Sequence, residues 1–258
     1  MDIGIIMAIA SNVFRELIRD RVLYLIGFFA IFLVGSLRLL SEFAIVGTDK
    51  KIIVDLGLTA IGAMGLIVAV FIGTAMIQKE IEKRTILLLL AKPVARAELI
   101  AGKHLGLSAV LAVLVAATTA IYLGFLSLNQ IDYPLSSILV AVFYIFLELS
   151  LLAAFAITFS VFTSSLLATL LAFGVYLMGH LSPDIVKAGE LSENPAIESF
   201  TKNLYLVLPD LTRLDLKNMA VYGSLPDVGS LLGNAVYALL YTAFLLAIAN
   251  LIFWRREF

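Results

Sequence analysis

The sequence has no cysteine, two histidines and one tryptophan in 258 residues, and only 14% of it is charged. Without cysteine there is no disulfide framework, thiolate metal site, cysteine nucleophile or thiol redox chemistry. The scarcity of charge is as informative, because soluble domains carry about 25% charged residues. Basic and acidic residues nearly cancel, 18 against 19, for a net charge of −1. That balance excludes a basic nucleic-acid-binding surface. What fills the chain instead is apolar: 62% hydrophobic residues and a mean hydropathy of +1.05. A water-soluble core of this length cannot hide so much apolar surface. The composition specifies an all-α integral membrane protein.

Enzyme signatures are missing too. No G-x-x-x-x-G-K-[ST] phosphate loop occurs; Gly102-Lys103 lacks the leading glycine and is followed by His104. No H-E-x-x-H is present, and His104 and His180 are expected near opposite membrane faces, too far apart to share a metal. His180 with Ser182 near the outer surface has no nucleophile elbow, which makes an intramembrane serine hydrolase the weakest reading. Six scattered methionines build no copper site. No catalytic, cofactor-binding or metal-ligating residue is expected in this chain.

A helix needs about 20 apolar residues to cross a bilayer, and the charge-free intervals predict six spans, near 22–40, 53–77, 104–127, 136–162, 166–182 and 231–253. Thr163-Ser164-Ser165 is the polar break between the fourth and fifth. With the N-terminus inside, the cytoplasmic side holds eleven basic residues against three in the short outer loops. Both termini are therefore expected in the cytoplasm. The first apolar span lacks a small-residue cleavage site, so it reads as a permanent span rather than a signal peptide. The whole of 1–258 is expected to form one membrane domain.

Residues 3–21 predict an amphipathic helix, with Ile6, Ile9, Val13 and Leu17 on one face and Asn12, Arg15, Glu16 and Arg19 on another. It suits the cytoplasmic interface, among lipid headgroups, either as a plain anchor or as a lateral elbow that moves with its span. The segment 78–103 is the most informative. Its charged cluster Lys79, Glu80, Glu82, Lys83 and Arg84 is followed by the apolar run Leu87–Leu90, too short to span, and then by Pro93. Four leucines on the water side need a protein surface to cover them. The pattern reads as a docking element for a cytoplasmic partner; the plainer alternative is a solvated loop.

The string Lys79-Glu80-Ile81-Glu82-Lys83-Arg84-Thr85, then Leu89-Leu90 and Pro93-Val94-Ala95-Arg96, then Glu98 and Gly102-Lys103, resembles the signature of ABC-2 type permeases of the type V exporter kind. Leu208-Pro209-Asp210-Leu211 is similar to an element of the branch that includes the nitrous oxide reductase maturation permease. The resemblance implies a half-transporter of six spans working as a dimer of permeases. A separate cytoplasmic ATPase dimer would bind ATP and Mg. By the same resemblance, Gln78–Thr85 would be a coupling helix, Glu80 and Glu82 would touch the ATPase, and the turn at 163–165 would be a minor second contact. Pro93 and Arg96 belong to the same coupling segment.

Two further patterns call for packing or function. Gly65, Ala69 and Gly73 in the second span, and Ser108, Ala112, Ala116, Ala120 and Gly124 in the third, form small-residue stripes. Such stripes let helices approach closely in lipid, either zipping these two spans into one stiff hairpin or giving plain tight packing. Glu148, in the middle of its span, is expected to face the interior. Thr118, Thr119, Tyr241 and Thr242 lie at similar depth as hydrogen-bond donors, marking either a polar patch on a substrate path or a structural bond. A proton-coupled secondary transporter using Glu148 is the main rival to ATP-driven transport. The long segment 183–229 is expected to form one or two short interfacial helices, with Pro195 near a helix start and Ile197, Phe200 and Leu204 as an apolar stripe, facing an outer accessory protein or substrate.

Overall fold

The computed structural model describes residues 2–19, 23–43, 49–82, 95–192 and 194–255, with side chains undescribed at 23, 37–43, 49–50, 79–82 and 206–207. All regular structure among the described residues is helical. The helices are α1 (Ile3–Leu17), α2 (Leu23–Phe43), α3 (Asp49–Glu82), α4 (Arg96–Leu128), α5 (Leu135–Phe162), α6 (Ser165–Leu191), α7 (Pro195–Val207), α8 (Lys217–Val221) and α9 (Val228–Arg255), with a 3-10 turn at Leu211–Arg213. Five of them, α3, α4, α5, α6 and α9, are long and apolar enough to cross a membrane, and Tyr24–Ser36 of α2 is a shorter apolar stretch.

α5 is the central helix. Of its apolar stretch 72% is buried, against 28% for α6 and for α9, which border the bundle. α3 lies against it so closely that a Cβ at Gly65 would meet Leu149 at 2.2 Å and one at Gly73 would meet the Ala156 Cβ at 2.8 Å. The second-span stripe is therefore buried against the fourth span, not the third. Of the third-span stripe only Ser108 is buried; Ala112, Ala116, Ala120 and Gly124 point outward from the bundle. The expected zipped hairpin is corrected: α3 and α4 touch on other residues, as where Gly57 makes room for the Tyr122 ring. Tyr122 donates to the Val54 carbonyl at 2.8 Å. A flat stripe permits close packing but does not choose the partner, and the bulkier Leu149 and Ala156 of α5 fill these notches better than a second flat stripe would.

α1 starts where Asp2 caps it, accepting from the Gly4 amide at 2.8 Å. Its buried residues Ile6, Ala10 and Val13 pack against the first turns of α4. There Gly102 and Gly106, four residues apart, leave no room for a side chain: a Cβ would lie 2.8 Å from Ile9 and 2.7 Å from Val13. Arg15, Glu16 and Arg19 lie on the exposed face, as amphipathicity predicts.

α6 runs on past the apolar stretch expected at 166–182. It continues through Pro183 to Leu191. Proline removes the amide that would bond the carbonyl of Gly179, and the Ser182 hydroxyl donates to that carbonyl instead, at 3.1 Å. The helix survives because the freed acceptor is satisfied locally. α7 does begin at Pro195, capped by Asn194 on the Ala196 amide at 3.0 Å. Its buried contact is Thr201 over Gly189, while Ile197 and Phe200 of the expected stripe stay exposed. The chain then turns back into the bundle: Leu211, Leu214 and Leu216 are buried, and α8 packs on α3 and α5.

Gly73→Leu is expected to lower unfolding free energy by about 1–3 kcal/mol through overpacking, whereas Ala116→Leu should leave it nearly unchanged. Thermal unfolding of the two variants in detergent measures the difference.

Candidate functional site

Two polar assemblies stand out. The first frames the segment 83–94. At the end of α3, buried Gln78 donates from Nε2 to the Ser160 carbonyl at 2.7 Å and to the Thr163 carbonyl. Both acceptors belong to the last turn and C-cap of α5, where helix carbonyls lack intrahelical partners. Lys103, also buried, donates to the carbonyl of Met76 at 3.0 Å. Arg96, at the first turn of α4, donates to the carbonyls of Phe253 and Trp254 and lies 5.6 Å from the Phe253 ring centre. A cation at a helix C-terminus complements the helix dipole. Glu98 accepts from the Ala95 amide at 3.0 Å and from the Asp2 amide at 2.6 Å, tying α1 to the start of α4. Four side chains within one sequence stretch thus fasten the ends of α1, α3, α4, α5 and α9.

The second assembly lies inside the bundle. Glu148 of α5 is 4% exposed, and its Oε1 is 3.4 Å from Nε2 of His180 on α6. The same nitrogen is 3.8 Å from Asp215, which is 3.3 Å from Lys217. Asp215 and Lys217 come from the returning segment, seated where Gly179 admits Leu211 and Pro209 and where Gly62 faces the Lys217 ammonium. Burial works against the charge on Lys217, but the carboxylates of Glu148 and Asp215 hold its pKa above the usual lysine range. The segment is pinned upstream by Asp210, which accepts from Tyr205 at 2.8 Å, Thr212 at 2.5 Å and Arg213 at 3.0 Å. Its amide donates to the Tyr237 hydroxyl of α9 at 2.9 Å.

The family model for ABC-2 family transporter proteins matches residues 7–258, nearly the whole chain. The chain belongs to that family. It is a multi-pass membrane protein, of a family of transport subunits that are not catalytic in themselves and that work with an ATPase partner in a dimeric arrangement. The match is to the family and does not single out the nitrous oxide branch. No curated protein matches the chain significantly.

The residues expected to matter in this permease fare differently. Gln78 and Arg96 are in the frame just described. α3 reaches Glu82 in its backbone, but the side chains of Lys79, Glu80 and Glu82 lie outside the described residues, as do Lys83, Arg84, Thr85 and Pro93. The expected partners of Glu148 are corrected. Thr118 bonds back to Leu114 and Val115 of its own helix, at 2.7 and 3.1 Å. The Thr119 hydroxyl is buried without a hydrogen bond. Tyr241 stacks between Phe155 and Tyr237, each 5.7 Å away, and Thr242 is half-buried. The group that meets Glu148 is His180, placed by sequence at a span's outer end but well inside α6 because that helix does not stop at Pro183.

Sequence reasoning missed Asp215 and Lys217 as companions of Glu148, since nothing in a polar segment between two apolar runs announces that it folds inward. It also missed the notch of Gly102 and Gly106, although a G-x-x-x-G spacing in an apolar helix is itself a packing signal.

Burial raises the Asp210 carboxyl pKa, but the bonds from Thr212, Arg213 and Tyr205 outweigh it and hold the group below its usual value. The folded value lies below the unfolded one, so this network stabilises above about pH 4 and fades as pH falls through that value. Asp210→Asn is expected to lower the Tm at pH 7, with the gap to the wild type narrowing below about pH 4.

Proposed function

We propose that this chain is the six-span permease subunit of an ATP-binding-cassette exporter in a prokaryotic plasma membrane, with both termini in the cytoplasm. In this reading α2 is the first of the six spans and α1 the elbow helix along the cytoplasmic interface. Two copies form the pathway. A separate ATPase dimer, holding ATP and Mg, docks on the segment that begins at Gln78 and includes Glu80 and Glu82. The returning segment 208–221 then lies at the outer side, facing substrate or an accessory protein.

The observation that carries this reading is the frame around residues 83–94. Family membership alone implies an ATPase partner, not where it pushes. Gln78, Lys103, Arg96 and Glu98 tie the flanking helix ends to α1, α5 and α9. A force on the segment between α3 and α4 would therefore reach five helices, rather than flex one loop. The bond from Gln78 to Thr163 also joins the main docking segment to the turn at 163–165, so that an ATPase touching either would move both. Leu208–Leu211, the basis of the branch-level likeness, has a packing role against Gly179, and we assign no substrate from it.

Co-expression with its cognate soluble ATPase tests the reading. The pair is expected to copurify, with ATP hydrolysis stimulated by the permease. Glu80→Ala with Glu82→Ala should reduce copurification at least tenfold, about 1.4 kcal/mol at 25 °C, without changing the Tm of the permease. Proton-driven uptake into vesicles by the chain alone, with no ATPase bound, would establish the secondary-transporter reading instead.

A further inference from the structure

The group of Glu148, His180, Asp215 and Lys217 is not explained by helix packing. Its two halves come from different places: Glu148 and His180 from α5 and α6, Asp215 and Lys217 from the returning segment. The other titratable side chain facing it is Tyr176 of α6, one turn before His180, which stacks on the imidazole at 4.6 Å. On α3, Gly62 lies beside the Lys217 ammonium.

Hydrogen-bond chemistry sets what the central contact needs. His180 Nδ1 is 3.0 Å from the carbonyl of Tyr176. A carbonyl only accepts, so Nδ1 carries the hydrogen of that bond. Neutral His180 therefore turns a bare lone pair at Nε2 toward Glu148, and Nε2 is buried without a hydrogen bond. Two acceptors facing one another require a proton, on either the imidazole or the carboxyl. Charge balance leads to the same requirement. Two carboxylates and one ammonium sum to −1, and one proton on the Glu148–His180 pair brings the four groups to zero. In a low-dielectric interior an unbalanced charge is costly.

We propose that Glu148 and His180 form a proton-binding site that latches the 208–221 segment into the helix bundle, seated while the pair holds a proton and released when it is lost. Without the proton, Glu148 and Asp215 face each other across a bare imidazole with Lys217 alone to offset them. The weakest connection is between helices and segment, since the segment is held there by short buried side chains and not by a continuous helix. Release would uncover the end of the bundle where α8 packs on α3 and α5. This inference does not depend on the ATPase reading, because it concerns only groups within one chain.

The absence of cysteine makes the test direct. Ala220 of α8, within the segment, is fully buried where α8 packs on the bundle, and nearby Asn218 is exposed. Ala220→Cys and Asn218→Cys are each introduced into the full-length protein in detergent and labelled with a small hydrophilic maleimide. The ratio of their rates cancels most of the thiol's own dependence on pH. The ratio is expected to rise with pH, approaching about tenfold per pH unit where one proton is lost per opening.

In Glu148→Gln the amide can donate to Nε2 and the Asp215 carboxylate cancels Lys217, so the ratio should stay low and flat with pH. Asp215→Asn keeps the two facing acceptors but removes one negative charge beside them, so the proton is held less tightly and the rise should move to lower pH. A flat ratio in the wild type, or a wild-type rise persisting in both variants, would overturn the latch. Should one variant fail to fold, the other alone decides.

Discussion

The close approach of α3 to α5 through Gly65 and Gly73 is the contact on which the rest of the bundle depends. In lipid no hydrophobic force drives helices together, so association comes from van der Waals fit and internal hydrogen bonds. The fit at these glycines brings the Thr74 hydroxyl within 3.0 Å of that of Thr169 on α6. It also brings Gln78 to the end of α5. Spaced further apart, neither polar tie could form. α5 in turn holds α9, where Thr158 reaches the Leu245 carbonyl at 3.3 Å.

A second constraint follows from the first. Backbone groups freed inside an apolar medium must find partners within the protein, and this chain meets that demand with side chains borrowed from neighbouring helices. Gln78 serves carbonyls of α5 and Arg96 those of α9, and within α6 Ser182 covers the acceptor stranded by Pro183. The same bonds that satisfy helix ends also fasten the helices that flank the segment between α3 and α4.

The returning segment obeys a different economy. Apolar Leu211, Leu214 and Leu216 seat it, and the Asp210 network fixes its entry. Yet it carries Asp215 and Lys217 inward to meet Glu148 and His180. A purely structural plug would be more stable with apolar residues there, since buried ion pairs seldom recover their full desolvation cost. The charges make the seat conditional on protons, which is where its use lies.

Much was legible without coordinates. Helix boundaries near 53–77, 104–127, 136–162 and 231–253 lie within the observed helices, because apolar length is a local property. The amphipathic face of α1 was equally local, set by helical periodicity and by the exposed Arg15, Glu16 and Arg19. Membership in a transporter family was carried by a short ordered string around 79–103. Which helix fills the notches at Gly65 and Gly73, and what stands opposite Glu148, was not legible, because those depend on groups far apart in the chain. Glu148 and His180 stand on successive helices with the Thr163-Ser164 turn between them, and Asp215 lies beyond a polar segment that looks solvated. Sequence alone determined that the chain is helical, apolar and sparing with charge; only the tertiary structure decided which of the few charges meet, since close packing, not spacing, selects a helix's neighbours.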